Sequence, residues 1–299
     1  MIGGVIPVLY SYYDARGALD LGLHERQLDW ALAKGAAGVT VLGLASEGAA
    51  LTAQERRAVV DLTARRLPAG APLLVTMRPD DDVAEIARLV LRARSEVGLI
   101  IQIGADPAPS LAQIARIAAD SALAGNVKLG LQLAPGLIDT DFSAASLADH
   151  PDLLARLSFV KAEYNSLELD AHLRALGHPL TLLVGRHGQN LIDYLRIGCV
   201  GVIPGTEMTV ALGAIIRDWH AGREAEAIAA HGVVAPYVDF AMQDLDTVID
   251  VGRAVMARVL KVEEGARRRP SGRDAAAMRR AVDAWFPYWQ ARIECAPAA

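Results

Sequence analysis

Residues 73–103 read LLVTMRPDDDVAEIARLVLRARSEVGLIIQI, and this stretch contains the unit from which the chain is built. Leu73 to Thr76 and Leu99 to Ile103 are short runs, apolar at nearly every position rather than at alternate ones, as in strands buried on both faces. Between them Val83, Ile86, Ala87 and Val90 recur at the spacing of one helix face. Asp80, Asp81 and Asp82 put negative charge where a helix N-terminus favours it. The stretch therefore predicts strand, helix, strand, a crossover that makes the two strands parallel.

The same period continues outward in both directions. Val5 to Leu9, Val39 to Gly43, Val127 to Leu133, Leu157 to Lys161, Leu180 to Val184 and Val200 to Ile203 bring the number of runs to eight, with Gly35 and Gly177 where helices should stop. Eight strands alternating with helices predict an α/β fold closed into a (β/α)8 TIM barrel, assigned to residues 1–222. After Ile216 the alternation ceases, and 223–299 reads as a C-terminal three-helix extension, roughly Arg223 to Phe240, Leu245 to Glu264 and Arg273 to Arg292. The break at Gly265 to Gly272 carries Arg267, Arg268, Arg269 and Pro270 and reads as a solvated loop, with a subunit contact as the alternative. Trp285, Phe286, Tyr288 and Trp289 read as a seal between extension and barrel, or else as a subunit interface.

At 299 residues and 53% hydrophobic content the chain can bury a large core. Its net charge of −5, with no dense Lys/Arg stretch interleaved with aromatics, argues against nucleic acid or anionic lipid as partner. No run has membrane-spanning length, and the apolar start from Ile2 to Leu9 lacks a basic flank, so no membrane association and a cytoplasmic location are expected. Cys199 and Cys295 form neither a metal-like spacing nor a disulfide framework, so no metal or redox cofactor is expected. Small molecules are the expected partners.

In a barrel of this kind chemistry sits at the C-terminal ends of strands. Of four lysines, Lys34 closes a helix, Lys128 begins a strand at the opposite face and Lys261 lies in the extension. Lys161 alone ends a barrel strand. Preceded by Leu157, Phe159 and Val160, its amine is expected in an apolar mouth, where desolvation favours the neutral, nucleophilic form. An ion-pair partner is the alternative.

Gly4-Val5-Ile6-Pro7-Val8, the segment Gly35 to Gly43 followed by Glu47 and Leu51-Thr52-Ala53-Gln54-Glu55-Arg56, and Phe159-Val160-Lys161-Ala162-Glu163 resemble the dihydrodipicolinate synthase and N-acetylneuraminate lyase family of Schiff-base lyases. The spacing fits nearly the whole chain, including Gly198 to Gly205. The resemblance implies that Lys161 is the Schiff-base lysine, that the substrate is a 2-oxo acid and that the protein is a homo-oligomer, typically a tetramer.

Departures from the family pattern narrow this. Gly43-Leu44-Ala45-Ser46-Glu47 lacks the two hydroxyls of the usual relay. Gln132-Leu133-Ala134-Pro135-Gly136-Leu137 replaces the catalytic phenol by an amide and the carboxylate-binding guanidinium by Leu137. The fourth strand ends in Gln102-Ile103-Gly104, without the family's tyrosine pair. These losses argue against dihydrodipicolinate synthase itself, and Gln132 with x-Ala-Pro resembles the branch containing L-2-keto-3-deoxyarabonate dehydratase. A dehydratase of a 2-keto-3-deoxy sugar acid is therefore expected, with a pyruvate-dependent aldolase and a non-catalytic 2-oxo-acid-binding protein as alternatives.

In this reading the backbone N–H groups of Ala45 and Ser46, with the Ser46 hydroxyl, hold the substrate carboxylate. Gln132 holds a substrate hydroxyl or the carbinolamine oxygen, with packing at a strand end as the alternative, and Arg186 binds a distal carboxylate or hydroxyl, with a structural role as the alternative. Glu47, Tyr164 and His187 are candidates for moving protons, each against a structural alternative: a helix cap, a loop aromatic and a packed imidazole. Glu207 is a minor candidate.

Overall fold

In the computed structural model, which describes residues 2–269 and 271–294, the eight apolar runs become eight parallel strands. Pro270 and Cys295 lie outside the described residues. In chain order the elements are β1 (Gly4–Val5), α1 (Leu21–Ala33), β2 (Val39–Val41), α2 (Ala53–Arg66), β3 (Leu73–Met77), α3 (Val83–Leu91), β4 (Val97–Gln102) and α4 (Ala108–Ala119). There follow β5 (Val127–Leu133), α5 (Pro151–Leu154), β6 (Phe159–Ala162), α6 (Ser166–Leu176), β7 (Thr181–Val184), α7 (Leu191–Arg196), β8 (Gly201–Val202) and α8 (Thr209–His220). The sheet runs in the order β1-β8-β7-β6-β5-β4-β3-β2. Its two ends meet: Ala37 N–H donates to the Val5 carbonyl (2.8 Å), Thr40 N–H to Pro7 (2.8 Å) and Leu9 N–H to Thr40 (3.0 Å). These bonds close the barrel although β1 is only two residues long, because Pro7 has no N–H to continue the ladder.

The two-residue period of each strand sorts its side chains into two cores. Ile6, Val8, Leu74, Ile100, Phe159, Leu183 and Ile203 pack together inside the barrel, whereas Val160, Ala162 and Tyr164 join the larger core between sheet and helices. Phe159 fits inside because its neighbour across the ladder is Gly130, where a Cβ would stand 2.3 Å from the ring. Parity on β6 thus directs Phe159, Lys161 and Glu163 inward, and Val160, Ala162 and Tyr164 outward.

After α8 come α9 (Glu224–Ala241), α10 (Leu245–Leu260) and α11 (Ala275–Trp289). The third ends the aromatic cluster as a seal: Trp289 is fully buried and its Nε1 donates to the Glu207 carbonyl (3.2 Å), while Trp285 stacks on Phe240. α10 stops at Leu260, short of the expected Glu264, because Lys261 takes a left-handed conformation.

The segment after α10 corrects the expectation of a solvated loop. The Arg267 side chain is 8% exposed and pairs with Glu47 (3.1 Å), Asp246 (3.0 Å) and Asp250 (2.8 Å). Arg268 chelates Glu55, bonds the carbonyls of Ala50 and Gly17, and stacks on Tyr13. These contacts lie within one chain. The segment is a strap that binds α10 to the loop after β2.

Candidate active site

Three adjacent strands place a polar layer across the barrel mouth. The ladder sets Gln102 of β4 beside Gln132 of β5, and Gln132 beside Lys161 of β6. Gln102 Nε2 donates to Gln132 Oε1 (2.9 Å), and Gln132 Nε2 donates to Glu163 Oε2. Lys161 Nζ lies 3.2 Å from Glu163 Oε1, and both side chains are buried. The carboxylate also accepts the Arg186 N–H (3.3 Å). It fits only because residue 185 is glycine, where a Cβ would come within 2.1 Å of Glu163 Oε1.

This geometry corrects the picture of a lone amine in an apolar mouth. Lys161 is buried as expected, but a buried carboxylate shares its site. Glu163 had no assigned role in the sequence reading. The signal was present, since two residues apart on a strand means the same face.

The Lys161 side chain opens on a cavity of about 50 Å³ lined by Ala45, Leu137, Glu163, Arg186, His187 and Gly205 among others. A second cavity of about 310 Å³ lies next to it, since Leu44 and Leu245 line both. Leu42, Glu47, Arg186 and His187, in the loops after β2 and β7, are non-glycine residues with φ between 47° and 61°. Left-handed backbone at such residues costs about 1–3 kcal/mol each and concentrates at functional sites.

The structure brings Lys161, Gln132, Ala45, Arg186 and His187 to one place and leaves others outside it. Ser46 is buried, but its N–H and its hydroxyl both bond the Gly43 carbonyl (3.1 Å each), so those donors serve the loop's own turn. Glu47 makes no helix cap; its Oε1 accepts from Arg267, and it lines the larger cavity. Tyr164, expected as a substitute phenol, sits in the helix-side core. Its hydroxyl accepts the Ala144 N–H (3.2 Å), and burial pushes its pKa up to about 12. An odd separation from Lys161 turns it to the other face.

His187 forms a wall of the lysine cavity, with a hydrogen bond at Nδ1 and none at Nε2. Nδ1 accepts the Gly205 N–H (3.2 Å), and Nε2 stands 3.0 Å from Glu207 Oε1, off the line of a straight hydrogen bond. Glu207 is fully buried and accepts from Tyr10 OH (2.9 Å) and Tyr237 OH (3.5 Å). Burial, and then the nearby carboxylate, hold both phenols well above their ordinary pKa. Glu207, in the first turn of the helical segment that leads into α8, is therefore a buried anchor as well as a charge at a helix start. Among the described residues no three His, Cys, Asp or Glu side chains converge as a metal site.

Fold and site together define the class: a parallel (β/α)8 barrel presenting a buried amine and carboxylate at the end of β6. No family model matches the chain. Curated relatives do: the 4-hydroxy-tetrahydrodipicolinate synthase of Gluconacetobacter diazotrophicus is 28% identical over 238 residues, 77% of this chain and 78% of the relative. That of Synechococcus is 23% identical over 78% of each.

Among solved structures, the 4-hydroxy-tetrahydrodipicolinate synthase of Methylacidiphilum fumariolicum superposes with a TM-score of 0.79 at 16% identity, covering 98% of this chain and 99% of the other. The sialic acid aldolase of Ruminococcus gnavus gives 0.78 at 18%, over 97% and 99%. YagE, a prophage protein of E. coli K12 solved with pyruvate, gives 0.77 at 19%, over 96% and 99%. The chain is thus similar over about three quarters of its length to 4-hydroxy-tetrahydrodipicolinate synthases, and it shares its fold with solved proteins of the dihydrodipicolinate synthase family and with a sialic acid aldolase. No helix among the described residues is long and apolar enough to cross a membrane.

Proposed function

We propose that the protein is a Schiff-base-forming lyase acting on a 2-oxo acid, with Lys161 as nucleophile and Glu163 as proton carrier. The observation that carries this reading is the buried Nζ of Lys161 at a cavity wall, 3.2 Å from Glu163 Oε1. Glu163 takes a proton from the ammonium, and the free amine attacks the C2 carbonyl. The same carboxyl returns its proton to the carbinolamine hydroxyl, which leaves as water. The product is a protonated imine, an electron sink that acidifies C3.

The finer reading is a dehydratase of a 2-keto-3-deoxy sugar acid. Glu163 removes a C3 proton and then gives it to the departing C4 hydroxyl, so one carboxylate serves as base and acid without the family phenol. Gln132 holds Glu163 from one side and the Arg186 N–H from another, fixing its direction. Ala45 and Arg186 remain the donors proposed for the substrate carboxylate and a distal group. The enzyme is taken as a cytoplasmic homotetramer or dimer; sedimentation of the purified chain tests the oligomer.

Incubation with pyruvate and longer 2-oxo acids, borohydride reduction and peptide mapping test the nucleophile. An adduct on Lys161, with turnover of 3-deoxy-2-oxo sugar acids to dehydrated product, is the expected result. Aldehyde-dependent exchange without dehydration would replace the dehydratase by an aldolase, and absence of any adduct would overturn the enzyme.

A further inference from the structure

We infer that Gln102, at the end of β4, is a positioning residue that acts through Gln132 to confine the protons carried by Glu163 to the one oxygen that faces Lys161. The inference rests on the proposed function for the identity of the proton carrier, and adds to it a residue and a direction of transfer.

The direction is set by what each group can do. A carboxylate only accepts, so the end of the Gln132 side chain that meets Glu163 Oε2 is its NH2 group. The same amide then turns its carbonyl oxygen toward β4, where Gln102 Nε2 donates to it (2.9 Å). Ladder register puts these groups in line, pairing Gln102 with Gln132 and Gln132 with Lys161. Both glutamines are buried, and the Ser110 hydroxyl of α4 donates to the Gln102 backbone carbonyl (2.9 Å), which pins the end of the strand. Turned over, Gln132 would set its carbonyl against Oε2, two acceptors with no hydrogen between them, which a buried site penalises. Gln102 supplies the donor that makes the observed orientation the paired one at both ends.

Two of the three protein groups on the Glu163 carboxylate, the Gln132 NH2 and the Arg186 N–H, are amide donors that neither gain nor lose a proton. The third is Lys161 Nζ, 3.2 Å from Oε1. A proton taken from the ammonium therefore sits on Oε1, on the side of the reacting nitrogen, while Oε2 stays a fixed acceptor. The Gln102 side chain bonds Gln132 and neither Lys161 nor Glu163, so what it contributes to the chemistry passes through Gln132. A phenol at either place could carry protons itself. Two amides in series cannot, and they turn these positions into a holder of fixed polarity.

Methionine keeps the length of glutamine and removes its donor, whereas glutamate keeps the length and only accepts. Gln102→Met, Gln102→Glu, Gln132→Met and the double methionine variant are compared with the unmodified protein. The readout is the rate of adduct formation on Lys161 with pyruvate and cyanoborohydride, followed by intact mass, with urea midpoints taken in parallel. Gln102→Met is expected to slow adduct formation at saturating pyruvate by about ten-fold, the order of one lost hydrogen bond, with half-saturation within about two-fold of normal. Gln102→Glu is expected to be slower still, because it draws the Gln132 NH2 to itself and turns the carbonyl toward Glu163. In the Gln132→Met background Gln102→Met should add nothing, since the intermediary is gone.

An unchanged saturating rate in Gln102→Met overturns the inference. Effects that multiply in the double variant overturn it too, as does a lowered urea midpoint with no loss of rate, because each marks Gln102 as packing alone. Gln102→Glu keeps a polar side chain of the same length, and its rate decides the matter if the methionine variant does not fold. Absence of adduct in the unmodified protein removes the lyase reading and this inference together. Adduct formed at one rate in the unmodified protein and the Gln102 variants leaves the lyase reading standing and removes the inference alone.

Discussion

Lys161 and Glu163 are separated by one residue, and the pleat of β6 turns both into the barrel while sending Ala162 and Tyr164 to the helices. If Glu163 carries the protons, Glu163→Gln should lower kcat on a 3-deoxy-2-oxo sugar acid by roughly 10²–10⁴-fold. Adduct should still form on prolonged borohydride trapping. Steady-state kinetics with single-turnover trapping separates the two, and an unchanged kcat would remove Glu163 from the mechanism. Tyr164 gives the converse expectation, since its hydroxyl only accepts the Ala144 N–H in the helix-side core. Tyr164→Phe should keep activity within about two-fold and cost about 1 kcal/mol of stability by urea denaturation. The lysine and its strand were legible from composition and pattern. The partner needed the further step of counting parity from Lys161, which also excludes Tyr164.

At the scale of elements the strap after α10 decides the shape of the mouth. Arg267 is a single guanidinium holding three carboxylates from two elements, Glu47 beyond β2 and Asp246 and Asp250 on α10. Its removal leaves buried Glu47 without its ion-pair partner. Breaking a buried ion pair from one side costs about 3–5 kcal/mol, so Arg267→Ala should lower the urea midpoint correspondingly with an unchanged m value. A change below about 1 kcal/mol would show that the strap is held by Arg268 alone. Beside it, hydrogen bonds from Arg268 bring the Glu55 carboxyl down to about 2, so this tie persists to strongly acid pH. None of this was visible in Gly265 to Gly272 as a sequence, because a run of arginines is solvated unless carboxylates converge on it from elsewhere.

For the molecule as a whole, acid stability reports how tightly the helices pack on each other. His24 of α1 is buried against α2, with Nε2 3.0 Å from Thr63 Oγ1, and desolvation lowers its pKa from 6.5 to about 4. Between those values the unfolded chain binds a proton that the folded chain refuses, so stability rises with pH across this window and is lost as pH falls from about 6.5 toward 4. The contribution approaches about 3 kcal/mol. His24→Gln should flatten this limb, read as urea midpoints at pH 4.5, 5.5 and 7; an identical slope in the variant would assign the acid sensitivity elsewhere.

Residue order alone was enough for the barrel, because eight doubly buried runs alternating with helices admit few other arrangements, and for the place of Lys161 at a strand end, which none of the other three lysines shares. Tertiary structure decided what stands beside that lysine. Glu163 reaches it only where Gly185 leaves room, Ser46 is drawn into its own turn, and Glu47 is oriented by an arginine 220 residues away. Periodicity is a local property that a chain carries in its order of residues, whereas hydrogen-bond and charge partners are fixed only when distant loops meet at the closed barrel mouth.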